Sequence, residues 1–179
     1  MNKKLQTLKY IFSDYTTALI AWFLFNLFRK EYIESVNFGF EIKIEYNTSF
    51  FIALFGLPFF WLMIYSAFGY YRNVFRKSRL QELWQTGLTT IIGIIIIFFA
   101  LILDDVVSSY KDYYYSFTTL LIIHFSLTYF VRLTITTSTI KKIAKGKIGF
   151  NTLLIGSNGK ALNFIRTFVL KMKNMVIVS

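Results

Sequence analysis

The sequence has no cysteine, one histidine and one proline in 179 residues. Without cysteine there is no disulfide framework, no thiolate zinc site and no cysteine nucleophile. The lone His124 excludes metal motifs that need several imidazoles. Acid is scarce as well: 9 Asp and Glu stand against 20 Lys and Arg, for a net charge of +11. So basic a chain invites a nucleic-acid reading, because cations neutralise phosphates. Here the cations lie beside apolar runs, where retention on the cytoplasmic side of a membrane already accounts for them. No nucleic acid is expected; a bilayer with anionic headgroups is.

Apolar and aromatic residues are what the chain has in excess. It is 55% hydrophobic, with 21 Phe and 12 Tyr, above the 45–50% or so usual for soluble domains. The excess falls in four clusters of about 20 residues, the length that crosses a bilayer. They predict transmembrane helices at about 10–28, 50–71, 83–103 and 113–131. The first is not read as a cleaved signal peptide, since Arg29, Lys30 and Glu31 follow it and no small-residue cleavage site does.

Charge fixes the sides. Lys3, Lys4 and Lys9 precede span one; Arg72, Arg76, Lys77 and Arg79 lie between spans two and three; Arg132, Lys141, Lys142, Lys145 and Lys147 follow span four. The other two loops carry fewer cations, offset by Glu31, Glu34, Glu41 and Glu45 or by Asp104, Asp105 and Asp112. The expected topology has both termini in the cytoplasm.

Within this frame, Asp14 reads first as an interfacial carboxylate; the sharper alternative pairs it with a cation on another helix. Phe38–Tyr46 alternates like a short outer strand. Pro58 predicts a kink in span two. Ser78 can cap a helix whose Leu80, Leu83 and Trp84 would lie in the interface before span three. Gly87 and Gly93 could admit a close helix neighbour. Asp104 and Asp105 read as solvated, not as a metal site. His124 reads as an interhelical hydrogen-bonder.

Residues 132–149 form a basic linker, begun as a helical continuation of span four. Beyond it the pattern changes. Phe150–Gly156 is a short apolar run, Ala161–Lys173 has helical spacing, and Met175–Val178 begins a second run. This predicts the β-α-β start of a cytosolic, Rossmann-like α/β module over 150–179. The turn Gly156, Ser157, Asn158, Gly159 is the one site-like motif. A dinucleotide fingerprint places Gly where Asn158 stands, so the turn reads first as a structural sheet start without ligand, and only weakly as a nucleotide or anion site. No catalytic residues and no metal ligands stand out.

Three stretches resemble a known family: Pro58-Phe-Phe-Trp61, Gly69-Tyr-Tyr-Arg-Asn-Val-Phe-Arg-Lys-Ser-Arg-Leu-Gln-Glu-Leu83, and Phe150-Asn-Thr-Leu-Leu-Ile-Gly-Ser-Asn-Gly-Lys-Ala161. In order and spacing the chain resembles the N-terminal region of bacterial polyprenyl glycosylphosphotransferases. The resemblance implies an enzyme of the inner membrane that moves a sugar 1-phosphate from a nucleotide sugar to undecaprenyl phosphate, with Mg2+, to begin surface polysaccharide assembly. It also implies a catalytic part in a later domain, which nothing up to Ser179 matches; the chain alone is expected to be inactive. Membrane-bound nucleotide-sugar dehydratases share the four spans and a similar first α/β module. A non-enzymatic scaffold is the alternative from another class, and a homo-oligomer is an open partner. A transporter would want a polar path across several helices, which Asp14 and His124 alone do not supply.

Overall fold

Each apolar run becomes one helix. The computed structural model describes residues 3–35, 47–102 and 110–146, with positions 148, 159, 163, 166 and 167. Helix α1 is Lys3–Phe28, continued by a π-helical turn at Arg29–Glu34. Helix α2 is Thr48–Ala67, with Pro58 inside it. Helix α3 is Arg79–Ile97, continued by a π-helical turn at Phe98–Ile102. Helix α4 is Tyr110–Ala144.

Their ends follow from capping chemistry. The Asn47 side chain accepts from the Phe50 N–H at 2.8 Å, and the Ser78 hydroxyl accepts from the Gln81 N–H at 3.1 Å. Both use donors that a first helical turn leaves free. Helix α2 is terminated by Gly69, two residues past its end, which sits at φ +69°, a backbone region that other residues avoid. The Gly69 N–H donates to the Ser66 carbonyl and the Tyr70 N–H reaches back to that of Tyr65, both at 2.9 Å. This pair of bonds is a Schellman motif, and it aims Tyr70 back into the bundle.

The helix bounds refine the expected spans. Helix α2 ends at Ala67, so Phe68 to Ser78 is turn and loop. Helix α3 starts at Arg79 without a separate interfacial segment: Leu80, Leu83 and Trp84 lie exposed on α3 itself. Helix α4 runs 13 residues past Val131 to Ala144, as the helical continuation anticipated, so residue 131 is no structural boundary.

The helices close a ring in which α1 packs on α2 and α4, α3 packs on α4, and α2 meets α3 more lightly. Gly93 lets that last pair approach, because a Cβ there would run into the Trp61 indole. Gly87 faces Phe125.

Polarity in this bundle is inverted. Phe12, Met63 and Phe130 are about 70% exposed, while Asp14, Glu82 and Arg132 are buried. A bundle in water does the opposite, since large apolar residues seek the interior and unpaired charges avoid it. Lipid as the surrounding solvent removes the contradiction. All four helices are long and apolar enough to cross a membrane.

Residues 148–179 form a separate unit. Within it Gly159, Asn163, Arg166 and Thr167 are helical, and the Thr167 hydroxyl donates to the Asn163 carbonyl at 2.9 Å. Gly159, which the sequence placed in a turn, is helical. No strand occurs among the described residues. The expected strands at 150–156, 175–178 and 38–46 lie outside them, as do Asp104, Asp105 and turn residues Gly156, Ser157 and Asn158.

Candidate functional site

The strongest chemistry lies inside the bundle, at the end bearing the 68–78 turn. It begins with two stripes. On α1, Gln6, Tyr10 and Asp14 recur every four residues and are buried; on α4, Thr128, Arg132 and Thr136 do the same, with Thr139 one turn on. Four-residue spacing puts each set on one helix face. Because the two helices are antiparallel, the stripes meet rung by rung. Gln6 Nε2 donates to Thr139 Oγ1 at 2.9 Å, Tyr10 Oη and Thr136 Oγ1 are 2.8 Å apart, and Arg132 meets Asp14.

The Arg132–Asp14 rung is a two-point ion pair. Arg132 Nε donates to Asp14 Oδ1 at 2.7 Å and Nη2 donates to Oδ2 at 2.8 Å. Parallel N–H bonds of this kind are the strong form of the interaction. Arg132 Nη1 donates to Thr86 Oγ1 at 3.1 Å, and Tyr71 Oη donates to Asp14 Oδ2 at 2.8 Å. The guanidinium also lies over two rings, 3.9 Å from the centre of Tyr65 and 3.6 Å from that of Tyr70. Cation–π contact adds to a charge already removed from solvent.

A second pair closes the end. Glu82, one turn into α3, accepts from Tyr70 Oη through Oε2 and from Thr136 Oγ1 through Oε1 at 2.9 Å. Lys77 Nζ lies 3.5 Å from Glu82 Oε2 and sits over the Tyr70 ring. The four charges, Asp14, Glu82, Lys77 and Arg132, sum to zero within one buried cluster. Burial pushes the Lys77 ammonium down to about 7, with Glu82 opposing that shift. Burial also pushes the Tyr70 and Tyr71 phenols well up, with nearby carboxylates adding to it, so both stay neutral donors.

Above this cluster His124 Nε2 and Tyr65 Oη are 2.9 Å apart. The imidazole stacks on Trp61 with centroids 3.7 Å apart and planes 18° from parallel. His124 is the interhelical hydrogen-bonder that the sequence suggested. Asp14 reverses the first reading: it is a paired carboxylate of the interior, not an interfacial one. Lys77 serves as more than a topology marker, since it folds inward. The sequence counts Arg132 among the cytoplasmic cations and gives Glu82 no role of its own, although the four-residue polar spacing on α4 is a signal for the interior place that Arg132 takes.

Chemically, the cluster is closed. Both oxygens of Asp14 and of Glu82 accept bonds from their neighbours, so neither carboxylate is poised to take a substrate proton. Among the described residues no three His, Asp or Glu side chains gather as a metal site would need. The arrangement is suited to locking four helices and one turn together. No protein-family model, curated protein or solved structure matches the chain.

Proposed function

We propose that the bundle is the membrane-anchoring part of a polyprenyl glycosylphosphotransferase, an enzyme that passes a sugar 1-phosphate from a nucleotide sugar to undecaprenyl phosphate. One observation carries the reading. The residues behind the resemblance are the ones that build the bundle: Gly69 ends α2, Tyr70, Lys77 and Glu82 form the charged cluster, Ser78 caps α3, and Trp61 stacks on His124. A signature spent on closing helices together belongs to an anchor.

On this reading the 68–78 turn and both termini face the cytoplasm of the inner membrane, in keeping with the distribution of cations. Residues 150–179 begin a Rossmann-like module, with Gly156 to Asn158 at its first turn. Mg2+ belongs to the chemistry of the whole enzyme and has no ligands assigned in the bundle. The internally bonded carboxylates, Asp14 and Glu82, equally support a second reading, a scaffold that assembles other membrane enzymes.

A chimera separates the two. The bundle, residues 1–147, replaces the corresponding region of a working polyprenyl glycosylphosphotransferase, and membranes are assayed for lipid-linked sugar. Restored product supports the anchor; a chimera that inserts yet makes none favours the scaffold. The chain by itself is expected to make no lipid-linked sugar, and product from it would sink both readings.

A further inference from the structure

At the turn end, a groove of about 270 Å³ runs along the outside of the α1–α4 seam. Gln6 and Lys9 line it from α1; Ser138, Thr139 and Lys142 line it from α4. Lys9 and Ser138 are exposed and Lys142 is half-buried. Neither lysine is paired with an acid among the described residues. Ser138 makes no protein hydrogen bond there, and Gln6 gives only one of its two amide N–H groups to Thr139. The groove thus presents two ammonium groups and a hydroxyl, with no carboxylate among its lining residues.

Its depth follows from helix geometry. Helix α4 has 35 residues, which at 1.5 Å each is roughly 50 Å, against a hydrocarbon core of about 30 Å. The excess lies beyond Arg132, where the apolar run ends and Ser138 and Lys142 begin to project. On α1 the apolar run starts just after Lys9. Two antiparallel helices therefore put the groove at the same level, that of lipid headgroups.

We propose that this groove is a binding site for the phosphate of an anionic glycerophospholipid. The two lysines neutralise the phosphodiester, while Ser138 donates to one of its oxygens. The acyl chains run along the lipid-facing side of α1, where Leu8 and Phe12 are exposed. The site requires only that the bundle sits in a membrane and does not depend on the transferase reading.

The test uses the 179-residue chain in neutral detergent, titrated with phosphatidylglycerol or phosphatidylcholine and read by native mass spectrometry. One phosphatidylglycerol binds in preference to phosphatidylcholine, and K9Q/K142Q weakens it about tenfold or more. The variant K3Q/K145Q removes the same charge from exposed positions outside the groove and changes affinity less than about twofold. Ser138→Asp, which keeps both lysines and adds a carboxylate, also releases the lipid. Equal losses in the two double variants would reduce the effect to general electrostatics and overturn the site. Displacement by inorganic phosphate alone would make it a free-phosphate site, and preferential displacement by undecaprenyl phosphate would make it a substrate subsite. Either result overturns the assignment to a glycerophospholipid. Unchanged helical circular dichroism in each variant shows that the bundle is intact.

Discussion

Toward the 68–78 turn, the interior of the bundle is made of Gln6, Tyr10, Asp14, Glu82, Thr86, Arg132 and Thr136; toward the far end it is mostly apolar, with Ala18, Ala21, Phe25, Ile97 and Leu120, beside the buried polar residues Asp112 and Ser116. The first set is joined by directed bonds of 2.7–3.1 Å, such as those from Arg132. The apolar residues of the second are held by shape, as where Phe98 meets Tyr113 and Phe117 edge-on with centroids 5.9 and 5.8 Å apart. In lipid this difference matters more than in water. Burying Leu or Phe between helices brings little when the tails outside are equally apolar, so packing and hydrogen bonds must choose the neighbour. The far end supplies contact; the turn end supplies register.

The largest expected effect comes from breaking the charge balance. Arg132→Ala leaves Asp14 buried without its cation and is expected to cost about 3–5 kcal/mol. Unfolding in mixed micelles measures it. Asp14→Ala in the same chain should recover a large part of that loss, because the remaining partners can relax around an uncharged site. If the two losses simply add, the pair is not coupled and the account of register fails.

A smaller effect tests the second pair through pH. Native Lys77 titrates at about 7, whereas in the unfolded chain it titrates near 10.4. Between these values the unfolded state holds the extra proton, so stability rises with pH. The gain is at most about 1.4 kcal/mol per pH unit. Below pH 7 both states are protonated and the trend vanishes. The difference between the unmodified chain and Lys77→Met, followed from pH 6 to 9, should show this rise; a flat difference would place Lys77 in solvent.

The smallest effect belongs to the far end. Phe98→Leu keeps most of the volume and loses only ring contacts, so about 1 kcal/mol or less is expected. A loss as large as that from Arg132→Ala would erase the contrast between the two ends.

The helices are legible in the sequence; their partners are not. Length and hydropathy placed four spans, and Ser78 announced the start of α3 before any geometry. What stayed hidden was pairing across distance. Asp14 looked interfacial because its partner lay 118 residues away, in a stretch read as linker once the apolar run ended at Val131. Hydropathy marks where lipid begins and ends, not where a helix does, and α4 outlasts its apolar run. Lys77 was hidden for a related reason: counting cations assigns a side of the membrane, and says nothing of a lysine that the Schellman turn at Gly69 allows to fold inward. The stripe Thr128, Arg132, Thr136 was readable as a bundle-facing surface, since polar residues at helical spacing in a span face other helices.

The ladder between α1 and α4 also has a consequence in time. The helices leave the ribosome in order, so Asp14 is synthesised 118 residues before the guanidinium that neutralises it. Until α4 emerges, the first helix carries an acid that a bilayer disfavours. The last helix is therefore the one that commits the first. A nascent chain that stops before Arg132 stays marked as unfinished by its own uncompensated carboxylate.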